Sequence, residues 1–440
     1  MGYFVPLMSN PKTNPEPLPN SDGKASTPAP ATRGSLLVIF LTVFIDLLGF
    51  GIVLPLLPIY ADIFGQDESG IVIGLLMASF SIMQFIFAPI WGSLSDRIGR
   101  RPVIMIGLAG SVVFYTLFAF AAMHQSLLWL FITRIGAGVS GATIPTAQAY
   151  IADTTSNENR SRGMALIGMA FGLGFTLGPM FAFFAVPTGD TDPGAGPGFV
   201  AAGLSAVALL LAVFKLPESL HTDSKTAARK WFDWTAWKAA IGNRAMMYLL
   251  LGFFLCIFAF ASFETTLSLL IKGSKHYANP PFNFSFKQVC GTFALIGLLV
   301  AIVQGGIVRQ LAKRVSETKL SVAGAILEVV GFGVLAYGVK IASETWLFSA
   351  LGIIVVGYSF LQPSIYSLIS RWSDPATQGR TLGVSQSISA LARILGSGLG
   401  IPMMMSSIYL PYFVASAMML FVAITMFLAG KIGRDFVTAS

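Results

Sequence analysis

The stretch G-S-L-S-D-R-I-G-R-R, from Gly92 to Arg101, lies between two long runs that carry almost no charge. Ile71 to Trp91 precedes it, with Gln84 as its only strongly polar side chain, and Pro102 to Met123 follows without a single charge. Each run reaches the roughly 20 apolar residues that cross a bilayer. A link this short makes the two spans antiparallel neighbours. Its arginines, Arg97, Arg100 and Arg101, mark the cytoplasmic side, because short loops rich in Lys and Arg stay there.

The composition agrees. Of 440 residues, 55% are hydrophobic and 11% charged, against about 25% charged in an average soluble domain. The chain is therefore an integral membrane protein, all α. Its net charge of +8 is no nucleic-acid footprint: the loops opposite the arginine-rich turn hold only Lys272, Lys275, Lys287 and Lys340 among basic residues. The basic surplus is topology. Cys256 and Cys290 form no disulfide framework, and His124, His221 and His276 are too scattered for a metal site. Without a nucleotide loop, a His cluster or a paired carboxylate motif, neither an enzyme nor a primary pump is expected, and no cofactor.

Twelve spans are expected, at 36–60, 71–91, 102–123, 127–149, 163–186, 199–216, 246–271, 289–310, 319–340, 346–370, 382–404 and 408–430. Both termini then lie in the cytoplasm, in a plasma or bacterial inner membrane. Residues 1–33, rich in Pro, Ser, Asn and Thr, read as a disordered tail. The two six-helix halves are 34–216 and 246–434. Between them, 217–245 is a linker in which Trp231, Trp234 and Trp237 suggest an interfacial helix. The halves look related: Pro145, Arg162 and Gly178 recur at an offset of 218 as Pro363, Arg380 and Gly396.

The polar residues inside spans carry the functional information, since a charge at a helix centre costs about 2.5–3.5 kcal/mol on insertion scales. Asp46 lies in the first span, Glu264 in the seventh, Glu328 in the ninth, Arg134 in the fourth and Arg393 in the eleventh. Arg134, Gly138, Gly141, Pro145 and Gln148 follow at spacings of four and three, which puts them on one helical face. In the fifth span Gly168, Gly172, Gly174, Gly178 and Pro179 allow close helix approach.

The opening turn resembles the G-x-x-x-D-R-x-G-R-R signature between helices 2 and 3 of the major facilitator superfamily, which Gly92, Asp96, Arg97, Gly99, Arg100 and Arg101 match. The superfamily implies two pseudo-symmetric six-helix halves with a substrate site between them near the midplane. Arg134 and its glycines resemble the helix-4 motif of proton-coupled members. Gly174, Gly178 and Pro179 resemble the helix-5 antiporter motif G-x8-G-x3-G-P-x2-G-G, from which the chain departs at Ala165 and at Ala182-Phe183. Asp46 followed by G-F-G-I-V-L-P-L-L-P looks like the drug:proton antiporters, tetracycline exporters in particular, and Glu328 matches their ninth-helix carboxylate. The resemblance runs from 34 to 430.

It implies a monomeric, lipid-embedded secondary transporter that exchanges protons for small lipophilic drug-like compounds. The alternative is a facilitator or proton symporter for a sugar, an organic anion or another metabolite. The expected proton-coupling residues are Asp46, Glu328 and Glu264, with Arg134 as the opposing charge. The expected substrate contacts are Phe80, Gln84, Gln148, Gln362 and Tyr366. Gly92–Arg101 acts as a cytoplasmic gate in which Asp96 captures the N-terminus of the eleventh helix near Thr381 to Gly383.

Overall fold

A computed structural model describes residues 33–65, 68–155, 160–188, 192–220, 238, 242–276, 280–373 and 378–433. The tail at 1–32 and the linker tryptophans Trp231, Trp234 and Trp237 lie outside the described residues. Among those described, twelve helices are long and apolar enough to cross a membrane. They are α1 (Leu36–Phe64), α2 (Ile71–Ile98), α3 (Arg100–Met123), α4 (Leu127–Thr154), α5 (Leu166–Ala185) and α6 (Gly196–Lys215). The second six are α7 (Arg244–Lys272), α8 (Phe286–Leu311), α9 (Glu317–Lys340), α10 (Glu344–Arg371), α11 (Thr381–Ser406) and α12 (Leu410–Ile432).

Four helices depart from the simple spans expected, α8 among them with a π turn at Val303–Val308. The charged stretch after Trp91 is no loop: α2 continues to Ile98, and Gly99 alone separates it from α3. Nothing before Gly99 breaks a helix, and charged residues extend it beyond the apolar segment; Gly99 then turns the chain at φ +107°, a conformation that favours glycine. Helix α1 is interrupted at 54–56, where Pro55 has no N–H to continue the ladder. Pro58 starts the second piece, in the first turn, where no N–H is needed. In α4 a 3₁₀ turn at Gly141–Thr143 precedes Pro145. Three residues per turn instead of 3.6 rotates everything after it.

The helices pair in a repeated pattern. In the first six, α1 packs on α5 and α6, α3 on α4 and α6, and α2 on α4. Adding six to each number gives the pairs of the second six: α7 on α11 and α12, α9 on α10 and α12, α8 on α10. The contacts between the sixes obey the same rule, α5 against α8 and α11 against α2. Small residues make them close. Gly74 faces the backbone of Gly398, and Thr176 Oγ1 donates to the Gly297 carbonyl at 3.0 Å. Such close approach is how helices associate in lipid, where apolar burial supplies no driving force.

Contact between the sixes is concentrated at the end opposite Gly92–Arg101. There Asp62, after the α1 break, accepts from Ser274 Oγ at 3.0 Å and from the Lys275 amide at 3.3 Å. His276 Nε2 stands 3.4 Å from the same carboxylate, and Lys275 Nζ donates to the Gly65 carbonyl. Along α2, Ile73, Leu76, Met77 and Phe80 are buried, whereas Phe85, Ile86 and Ile90 further along are exposed. The two sixes thus converge at the Asp62 end and diverge toward the Arg100 end.

Candidate functional site

The divergence leaves a cavity of ≈ 160 Å³ between the sixes. Helix α1 contributes Asp46 and Phe50, α2 contributes Phe80 and Gln84, α3 Ser111 and Tyr115, α5 Phe171 and Phe175, and α11 Gln386 and Arg393. A smaller cavity of ≈ 20 Å³ shares Phe50, Phe80, Ser81 and Arg393 with it and adds Arg134, Glu264, Thr265 and Ser397.

Asp46 is set by close packing. Gly174 and Gly178 of α5 lie against Leu47 and Gly51 of α1, so tightly that a methyl group on either glycine would collide with α1. That fixes the helix in the turns directly after the acid. The carboxylate faces Ser111 and Ser205, and its Oδ1 is buried with no hydrogen-bond partner among the described residues. Of the glycines expected to allow close approach in the fifth span, Gly174 and Gly178 therefore seat the helix that carries Asp46, whereas Gly168 and Gly172 face open space.

Arg134 is 2% exposed. Its guanidinium lies over the Phe80 ring at 4.6 Å and near the Phe50 ring at 5.7 Å. Such cation–π contacts are worth about 2 kcal/mol when desolvated. Among the described residues its Nε has no hydrogen-bond partner, and no carboxylate lies within ion-pair distance of it. Arg134 and Asp46 are not directly paired; Tyr115 is in electrostatic range of both. Glu264 has Arg393 as its charged neighbour, and Tyr358 of α10 is in range of Arg393, Glu264 and Glu328. Glu328 is fully buried, both carboxylate oxygens lack partners, and its stem packs on Gly357. It lines neither cavity.

Of the five expected substrate contacts, Phe80 and Gln84 line the main cavity. Gln84 donates to the Gly141 carbonyl at 3.2 Å, just where α4 tightens. Gln148, Gln362 and Tyr366 do not line it. Gln148, beyond the 3₁₀ turn of α4, lines neither cavity. Tyr366 accepts from Gln386 Nε2 at 2.8 Å and so touches a wall residue from behind.

At the Arg100 end, Arg100 is buried and binds three groups. Its Nη1 lies 2.5 Å from Asp96 and 2.6 Å from Ser95 Oγ, and its Nε 3.0 Å from Asp153. The backbone N–H groups of Arg100 and Arg101, which open α3 and have no intrahelical acceptor, donate to Glu218 at 2.9 and 3.2 Å. Gly99 is needed here: a side chain on it would strike the Glu218 carboxylate. Gly92 faces open space, and Arg97 is exposed. Asp153, Glu218, Tyr115 and Gln386 were not singled out from the sequence. Asp153 and Glu218 stand at span ends, where an acid is unremarkable, so only the fold reveals their partners.

A twelve-helix membrane protein with a repeated six-helix pattern and a polar cavity between the repeats is a transporter by architecture. Residues 39–397 match the model of the Major Facilitator Superfamily, and the chain belongs to that family. It is 30% identical to the Escherichia coli class C tetracycline resistance protein over 86% of this chain and 90% of the relative. It is also 30% identical to major facilitator superfamily domain-containing protein 10 of Mus musculus, over 87% of this chain and 89% of that one. The crystal structure of the human organic anion transporter MFSD10 (TETRAN) superposes with a TM-score of 0.65 at 27% identity, covering 90% of this chain and 99% of that one. The protein is thus a major facilitator transporter of small molecules, not an enzyme.

Proposed function

We propose that the chain couples proton movement to the export of small lipophilic compounds by alternating access. The observation that carries this reading is Asp46: a half-buried acid with one buried, unpartnered oxygen, on the wall of a cavity to which Phe50, Phe80, Phe171 and Phe175 contribute the aromatic part. The aromatic wall suits an apolar body, and the acid suits a proton or a cationic group competing for the same charge. A carboxylate held in apolar surroundings changes its proton occupancy when its surroundings change, which is what alternation supplies.

On this reading, the Arg100 end is cytoplasmic by the positive-inside rule, and the arrangement described above is open to the cytoplasm. Residues 34–216 and 246–434 move as two bodies about the α2–α11 and α5–α8 contacts. In the opposite state Asp96 releases Arg100 and captures the start of α11. Glu264 and Arg134 complete the proton path, and Glu328 acts as a more remote acid. A single chain supplies both walls, so a monomer suffices.

A second reading, transport of an organic anion, is favoured by one observation. Arg134 and Arg393 bring two guanidiniums to the cavities. The resemblance to an organic anion transporter points the same way.

The test uses purified protein in liposomes that contain a pH-sensitive dye. Lipophilic cations, tetracyclines, organic anions and sugars are added under an imposed proton gradient. Proton movement triggered by lipophilic compounds supports coupled export. Uptake of a sugar without proton movement would replace the reading with facilitated transport.

A further inference from the structure

The ≈ 20 Å³ cavity at the inner end of the main one is lined by three charged side chains, Arg134, Arg393 and Glu264. Two guanidiniums face one carboxylate there. Glu264 is in electrostatic range of Arg393, which leaves the positive charge of Arg134 without an acid.

An isolated buried charge is expensive, and a structure keeps one only when something offsets it. Phe80 and Phe50 offset part of the cost by placing their rings against the guanidinium. A ring face, however, accepts nothing in the guanidinium plane, and Arg134 Nε remains without an acceptor. An in-plane acceptor with negative charge would supply both the missing hydrogen bond and the missing charge; a carboxylate or sulfonate does so best. Two of the lining hydroxyls offer no donor, which leaves the guanidiniums to hold the group. Thr265 and Ser397 spend their hydroxyl hydrogens on backbone carbonyls of Ala261 and Arg393. The volume holds about one water-sized group, the size of one anionic oxygen or a halide.

We infer that the small cavity is an anion-accepting subsite: Arg134 and Arg393 hold one oxygen of the carboxylate or sulfonate head of an amphiphilic organic anion, whose apolar body lies against Phe171 and Phe175 in the main cavity. The inference rests on the transport reading and names the class of cargo within it. Glu264 is the built-in competitor, because its charge and the head group's draw on the same guanidiniums. Binding the anion therefore favours the protonated acid, so anion and proton travel together through this site, as the second, organic-anion reading requires and unlike the competition described for Asp46. The other ionisable groups facing Glu264 are Arg393 from α11, Tyr358 from α10 and Arg134 from α4, with Glu328 of α9 and Cys256 of α7 reached through Tyr358. Asp46 lines only the main cavity.

The experiment compares 1-naphthaleneacetate with its uncharged isostere 1-naphthaleneacetamide, by calorimetric titration of the purified full chain in low-salt buffer free of chloride, carboxylates and sulfonates. The acid is expected to bind about tenfold more tightly, a difference of about 1.4 kcal/mol. Arg393→Gln should erase the preference while the amide still binds; Arg393→Lys should restore part of it. Glu264→Gln should tighten the acid and leave the amide unchanged. Equal binding of acid and amide, no acid binding at millimolar concentration, or a preference that survives Arg393→Gln would overturn the assignment. Chloride separates the remaining source of negative charge. If chloride raises the melting temperature through Arg393 while acid and amide bind alike, the site holds a halide and the head-group assignment falls. Because these titrations need no gradient, their failure leaves proton-coupled flux in liposomes standing, and failure of the flux leaves the subsite standing.

Discussion

Gly74 of α2 and Gly398 of α11 meet backbone to backbone, close enough that a methyl group on Gly74 would overlap the Gly398 carbonyl. This contact, with Asp62 bound to Ser274 beside it, closes the Asp62 end of the cavity. Gly74→Leu should hold that end open. Spin labels at Glu68→Cys and Ser407→Cys, both exposed at the ends of α2 and α11, would then show a longer-distance population by electron–electron resonance. An unchanged distance distribution in a folded variant would mean that closure does not depend on this contact.

Glu218 stabilises the start of α3 from outside the helix, by accepting from the N–H groups of Arg100 and Arg101. Side-chain caps of this kind contribute about 1 kcal/mol. Glu218→Ala should lower the melting temperature by a corresponding few degrees and speed amide exchange at the start of α3. Exchange at wild-type rates would show that water replaces the carboxylate without loss.

Asp96 is held by Arg100 when the Arg100 end is open. If it captures the start of α11 on closure, Asp96→Asn should reduce transport at least tenfold, about 1.4 kcal/mol of lost stabilisation, with little change in melting temperature. Wild-type transport rates in Asp96→Asn would remove the latch from the cycle.

Arg134 gives the opposite kind of test. Its charge is buried without an acidic partner, so a neutral side chain of similar length relieves desolvation while forfeiting about 2 kcal/mol of contact with Phe80 and Phe50. Arg134→Gln should melt at or above the wild-type temperature and yet lose coupled transport. A strongly destabilised variant would indicate that Arg134 is held for structure alone.

The fold was legible in the sequence because each layer of it has a chemical signature. Apolar runs of bilayer length gave the spans, whereas the short link between the second and third did not give their packing, since α2 packs chiefly on α4 and α11 and α3 on α4 and α6. What could not be read was how polar groups meet across helices. Asp153 and Glu218 look like ordinary loop acids until α3 is seen to begin at Arg100. Gln148 is on the face of Arg134 by spacing, yet it lines neither cavity. Arg134 and Asp46 were expected as opposing charges; packing puts aromatic rings against the first and serines against the second. Helical period predicts faces, but kinks and aromatic packing decide which faces meet.

The central claim is that Asp46 couples cargo to protons, and one variant tests it most directly. Wild type and Asp46→Asn would be reconstituted in dye-loaded liposomes under the same proton gradient and given the same lipophilic substrate. The account predicts substrate-triggered proton flux in wild type and its loss in Asp46→Asn, with the substrate still bound. Flux through Asp46→Asn at the wild-type rate would contradict it and leave Asp46 a structural polar group on α1.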